Sequence, residues 1–178
     1  WACVIAAYQL EYRSRLLPGG TAWIVGAPGE PERDYTLSAG LDGASHPARL
    51  ALSNVPVGFD RWLRQCAVEL GIEVLEASRL DAPPFDEADD IVLLGADAGL
   101  VETVSPRLAQ HGVLAVISEQ GFERPVQVDV GRIHYNRWVV VGGTGPDIAR
   151  AYSDVPVRSA LRPGGAAWFV GAGGPMGR

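Results

Sequence analysis

Two glycine-bearing phrases hold the residues whose types and spacing could do chemistry. The first is Gly26-Ala-Pro-Gly29, closing the run Leu17-Pro-Gly-Gly-Thr-Ala-Trp-Ile-Val. The second is Gly171-Ala-Gly-Gly-Pro-Met-Gly177, closing Leu161-Arg-Pro-Gly-Gly-Ala-Ala-Trp-Phe-Val. Glycines directly after an apolar strand let the backbone approach a pyrophosphate, whose charge then meets the N–H groups of a following helix. The second phrase carries the full set at Gly171, Gly173 and Gly177. In the first, Pro28 and Glu32 stand where Gly173 and Gly177 would fall, with Glu30 and Pro31 beside them. Carboxylates near a pyrophosphate repel it, and a side chain at the third glycine holds the helix off the strand. Weak binding at Gly26 and Gly29, or none, is the expectation for the first copy.

The two phrases are copies. Their offset is 158 − 13 = 145 residues, and twelve of the seventeen positions from Arg13 to Gly29 are identical. That offset is about one domain length. The expected organisation is one whole unit over 1–152, then a linker and the truncated opening of a second unit over 153–178. Both ends of the chain look cut, as in a piece of a longer protein.

Other candidates lie at the ends of later strands, where open α/β sheets take their ligands. Asn54 ends the second strand, where an acidic residue usually grips an adenosine ribose; its amide can bond a hydroxyl without charge assistance. Ala96, Asp97, Ser118, Gly142 and Gly143 follow later strands; they line a crevice, or the glycines simply turn the chain. His46, His111 and His134 share no metal-ligand spacing with Cys3 or Cys66, so no zinc site is expected here. Asp86-Glu-Ala-Asp-Asp90 reads as a solvated loop leading into a strand. No glycine elbow presents a serine nucleophile, and no catalytic residue stands out.

The elements that must position these residues follow from periodicity. Trp1 to Arg15 has helical spacing, and Thr21–Gly26 is the first strand. The charged, proline-broken Glu30–Asp34 delays or shortens the helix expected next. Arg49–Ser53 is a strand. Gly58 to Gly71 is the clearest helix, with Asp60 as a plausible N-cap, an apolar face of Trp62, Leu63, Cys66, Ala67 and Leu70, and Gly71 as its stop. Strands are expected at Ile72–Glu76, Asp90–Leu94, Gly112–Ser118 and Trp138–Val141, and helices at Gly99–Gln110 and from Pro146. Strands alternating with helices imply an α/β fold: a doubly wound, parallel, six-stranded Rossmann sheet with helices on both faces.

Composition narrows the partners. The chain has 178 residues, 47% of them hydrophobic, and a net charge of −6, which argues against nucleic acid or an anionic membrane. All fifteen basic residues are arginine, which removes a phosphate-loop lysine and Schiff-base chemistry. Two cysteines suit a reducing, cytoplasmic compartment better than a disulfide scaffold. No apolar run reaches membrane-spanning length.

Three phrases resemble the coenzyme-binding domain of the medium-chain dehydrogenase/reductase superfamily, nearest its sorbose- and polyol-type branch. They are the leading Trp1-Ala-Cys-Val-Ile-Ala-Ala-Tyr8, the segment Val130-Gly-Arg-Ile-His-Tyr-Asn-Arg-Trp-Val-Val-Val-Gly-Gly-Thr-Gly145, and the terminal glycine phrase. The resemblance implies NAD or NADP as cofactor, hydride transfer to or from an alcohol, polyol or sugar, and a missing catalytic domain in the same chain. It also implies a homodimer formed through the edge strand 138–141. The rival reading is a degenerate, non-binding repeat that serves as scaffold. A methyltransferase is a weaker rival, because no acidic residue ends the second strand.

Overall fold

The computed structural model describes residues 12–30, 32–153 and Gly164. Of the helix expected over Trp1 to Arg15, residues 1–11 lie outside them, and the described residues 12–15 are not helical. Gly171, Gly173 and Gly177, expected to meet a coenzyme, also lie outside them. The described core belongs to one unit, Arg13–Asp154. Gly164, the one described residue of the second copy, has φ +72°, the value of its counterpart Gly19.

Six described strands form one parallel sheet: β1 Thr21–Gly26, β2 Arg49–Ser53, β3 Glu73–Glu76, β4 Ala88–Leu94, β5 Leu108–Ile117 and β6 Val139–Gly143. Their order is β3-β2-β1-β4-β5-β6, the Rossmann order, with the topological switch point between β1 and β4. β1 is buried along its whole length, which explains why it reads as an unbroken apolar run instead of an alternating one. Trp23 shows how tightly that centre is tied. Its ring meets Phe85 edge-on at 5.2 Å, and its indole N–H donates to Ser53 Oγ at 2.8 Å. Ser53 in turn donates to the carbonyl of Ala77, just after β3.

The helices are α1 Val57–Leu70, α2 Ala98–Val104, α3 Val130–Tyr135 and α4 Ile148–Ser153. Gly71 ends α1 in the left-handed region at φ +71°, as its type demands. Asp60 is not the N-cap of α1. Pro56 holds that position, and Asp60 lies in the first turn, where it pairs with Arg64 at 2.7 Å. The buried face is Phe59, Leu63 and Ala67, while Trp62 is partly exposed. α2 stops at Val104, well short of Gln110, because Pro106 supplies no N–H; a 3-10 turn, Ser105–Arg107, leads directly into β5.

The largest departure is between β1 and β2. No described residue of 27–48 is helical. The segment instead buries Tyr35, Leu37 and Leu41, supplying as loop the apolar cover that a crossover helix normally gives.

Asp90 lies in β4, as the strand expected over Asp90–Leu94 has it, but it is 1% exposed, which corrects the reading of Asp86–Asp90 as a solvated loop. Its carboxylate accepts from the Arg13 guanidinium at 2.8 and 3.0 Å, from Leu17 N at 2.8 Å and from the Tyr152 hydroxyl at 3.0 Å. Those partners lie at the beginning and end of the unit, and the carboxylate ties both to its centre.

Candidate functional site

At the carboxyl ends of β1, β4 and β5 lies a cleft of about 700 Å³. It brings together Gly29, Ala96, Asp97 and Ser118 from the sequence-derived set, and adds Glu30, Arg33, Gln120, Glu123 and Arg124. This is the switch-point crevice in which open α/β sheets bind ligands. Gly142 and Gly143 lie at the end of β6 and do not line it.

Gly26 does not reach the cleft either. A Cβ there would stand 2.1 Å from the Asn54 carbonyl oxygen, so this glycine is required by the approach of the chain leaving β2. Asn54, at φ +47°, turns its amide onto the same turn and donates to the carbonyls of Gly26 at 3.1 Å and Ala27 at 3.4 Å. Its donor is thereby committed to the β1 turn. Gly29 has φ +77° with open space around it, so its backbone conformation explains its type.

The two carboxylates behave differently. Glu30 lines the cleft, and a Cβ on Gly95 would come within 2.8 Å of Glu30 Oε2. Glu30 accepts from the Tyr35 hydroxyl at 2.7 Å and pairs with Arg33 at 3.5 Å. Burial and the Glu30 carboxylate push the Tyr35 hydroxyl above its ordinary pKa, so it stays a donor. Arg33 also reaches Glu119 at 3.1 Å. Glu32 is elsewhere. It accepts from Val57 N and Gly58 N, and so sits on the amino end of α1. The expectation that both acids occupy one anion site is therefore corrected: Glu30 alone borders the crevice.

Asp97 caps α2 by accepting from Leu100 N at 2.8 Å, and Ser118 Oγ accepts from Gln120 N at 3.1 Å. Arg124, from the cleft lining, makes a two-pronged pair with Glu102 at 2.6 and 2.8 Å. That pair, with Gln127 N at 2.8 Å, holds the Glu102 carboxyl down to about 2. No described group of His, Cys, Asp and Glu side chains is placed to hold a metal ion. No described helix is long and apolar enough to cross a membrane.

The site does not fit a nicotinamide dinucleotide bound in the usual way. Such a ligand lays its pyrophosphate on a helix amino end just after β1; here no helix follows, and a carboxylate borders that position. Sequence reasoning placed the cleft but missed Arg33, Gln120, Glu123 and Arg124. One signal was present: the same 145-residue offset pairs Arg33 with Arg178.

No protein-family model and no curated protein matches the chain. Among solved structures it is similar to a Sinorhizobium meliloti 1021 protein described as a zinc-binding dehydrogenase, bound to NADP. The identity is 17%, 86% of this chain and 45% of that one are covered, and the TM-score is 0.46. It is also similar to a cobalt- and zinc-bound thermostable alcohol dehydrogenase from Pyrobaculum aerophilum (16%; 84% and 42%; 0.47). A third is benzyl alcohol dehydrogenase from Acinetobacter calcoaceticus (13%; 84% and 40%; 0.47). The chain spans less than half the length of each. The Rossmann assignment stands on the strand order itself.

Proposed function

We propose that the described unit is the first of two dehydrogenase-type Rossmann halves. In this reading the parent protein is an NAD(P)-dependent medium-chain oxidoreductase of the cytoplasm, passing hydride between a nicotinamide and an alcohol, polyol or sugar of the sorbose or sorbitol kind. This half serves as scaffold, and the coenzyme is taken by the second copy through Gly171, Gly173 and Gly177. The observation that carries the reading is at the β1 turn: Glu30 lies close to Gly95, and none of the described residues between β1 and β2 is helical. Calorimetric titration of the unit 13–154 with NADH, NADPH and S-adenosylmethionine is expected to give no binding or weak binding. A dissociation constant in the low micromolar range for a nicotinamide coenzyme would overturn the scaffold role, and one for S-adenosylmethionine would favour a methyltransferase.

The scaffold would pair with a second copy of itself. β6 ends the sheet, and Val140 on it is 40% exposed; such an edge is normally covered. Light scattering at tens of micromolar protein is expected to show a dimer that Val140→Pro weakens. A monomeric wild type sinks this part of the proposal.

A further inference from the structure

The hydrogen-bonding capacity left over in the switch-point cleft is of one kind. Both guanidiniums of its lining are taken. Arg33 lies between Glu30 at 3.5 Å and Glu119 at 3.1 Å, and Arg124 is held by Glu102 at 2.6 and 2.8 Å. The acceptors are not all taken. The Glu30 side chain is 12% exposed; its Oε1 accepts from the Tyr35 hydroxyl and faces Arg33, while Oε2 accepts from no described residue. Oε2 is not sealed in, since among the described residues Ser45 Oγ is the one enclosed side-chain atom without a partner. Asp97 gives Oδ1 to the Leu100 amide, which leaves Oδ2. Glu123 is exposed, and its carboxylate meets no described partner.

A ligand for this cleft must therefore bring donors. It must also match the charge. The lining and the acids paired with it set five carboxylates against two guanidiniums, and a concave site with such an excess draws cations. No described group of His, Cys, Asp and Glu side chains is placed to hold a metal ion, so the acids are not gathered around one point. A cation that meets more than one of them has to be extended, with a charge at each end. Ala27, Pro28, Ala96 and Ala98 in the same lining offer apolar surface to a short methylene chain. We propose that the cleft binds an aliphatic diamine, one ammonium on Glu30 and the other on the exposed acids Asp97 and Glu123. This rests on the reading that this copy leaves the dinucleotide to its successor, and it names what the crevice takes instead. The charge that repels a pyrophosphate is the charge that holds an ammonium.

The test is calorimetric titration of the full chain with putrescine at about pH 7, where both ammonium groups are charged, in about 0.01 M salt. Binding of one putrescine per chain is expected. Butanediol and succinate, of similar length but without positive charge, are expected to give none. Raising the salt to about 0.15 M should weaken the binding severalfold. Glu30→Gln is expected to weaken it about tenfold and Glu123→Gln about threefold. Glu73→Gln, on the edge strand β3, should leave it unchanged. No binding to the wild type, equal binding of butanediol, or unchanged affinity in a folded Glu30→Gln would overturn the proposal. Equal weakening by Glu73→Gln would also overturn it, reducing the effect to attraction by net charge. Should Glu30→Gln disturb the fold by loosening Tyr35 and Arg33, Glu123→Gln decides, because its carboxylate holds no described residue in place. NADH titration of the wild type bears on the scaffold reading and putrescine titration on the ligand, so either can fail without the other.

Discussion

At the amino end of the sheet Asp90 is 1% exposed and takes hydrogen bonds from a guanidinium, a backbone amide and a buried phenol. At the carboxyl end Glu30, Arg33 and Glu119 form a chain of pairs that opens to solvent at Glu119, which is 61% exposed. Both clusters join segments distant in sequence around acids and an arginine. They differ in burial, and burial decides what each can do. A buried carboxylate stripped of a partner leaves uncompensated charge, so the amino-end cluster can only be kept or lost. Exposed pairs are worth little singly and can be exchanged for water. The amino end is built to hold, and the carboxyl end to tolerate change.

The largest test of that contrast is Asp90→Ala, which removes the acceptor shared by the Arg13 guanidinium, the Leu17 amide and the Tyr152 hydroxyl. It is expected to lower unfolding free energy by about 3–5 kcal/mol in urea titrations. Glu119→Gln at the other end is expected to change it by about 1 kcal/mol or less. Equal losses would remove the distinction between the two ends.

The next effect separates two glycines of one turn. Gly26→Ala drives a methyl into the Asn54 carbonyl, a backbone atom that cannot swing aside, and is expected to cost about 3 kcal/mol. Gly29→Ala meets open space and incurs only the positive-φ penalty, about 1–2 kcal/mol. If Gly26→Ala is as mild as Gly29→Ala in thermal melts, the turn is looser than the structure shows.

How far the sequence carried is visible in the same residues. β1 and β2 run over the expected residues, because a central strand buried on both faces is a local, unbroken apolar signal. α1 ends at Gly71 because a left-handed cap favours glycine. The missing crossover helix was only half legible. The proline-broken acidic run warned of a delayed helix, but not that Tyr35, Leu37 and Leu41 would be buried without one. Asp90 was illegible. Its partners lie 77 and 62 residues away, and nothing local distinguishes this buried acid from the exposed Asp86 and Glu87.

The two ends should also titrate with opposite sign. Burial raises the Asp90 carboxyl above its ordinary value, outweighing Arg13, Leu17 N and Tyr152, which lower it. The stability it contributes is full below the usual carboxylate range, about pH 4, and falls as pH rises through the raised value. Glu102 is held down to about 2 by Arg124 and Gln127 N. Its contribution is full above its ordinary value and is lost as pH falls toward that lower one. Midpoints measured from about pH 3 to pH 7 should therefore change slope in opposite senses for Asp90→Asn and Glu102→Gln. The same sense in both would contradict the assignment.

The smallest expected effect is at Asn54, and it separates a fold role from a ligand role. If Asn54 stood in for a ribose-gripping acid, Asn54→Asp would strengthen nucleotide binding through a charge-assisted bond. The structure places its amide nitrogen against two carbonyl oxygens, of Gly26 and Ala27. An aspartate there would set a carboxylate against those acceptors and lose both bonds. Because the residue is exposed, water can take over part of the loss, and the expected cost is about 1 kcal/mol. Asn54→Gly loses the same bonds but relieves the left-handed backbone at φ +47°, and should fall between Asp and wild type. Thermal melts give that ranking, and NADH titration of Asn54→Asp gives the decisive reading. Tighter NADH binding with unchanged stability would mean the side chain is free to leave the β1 turn and serve a ligand.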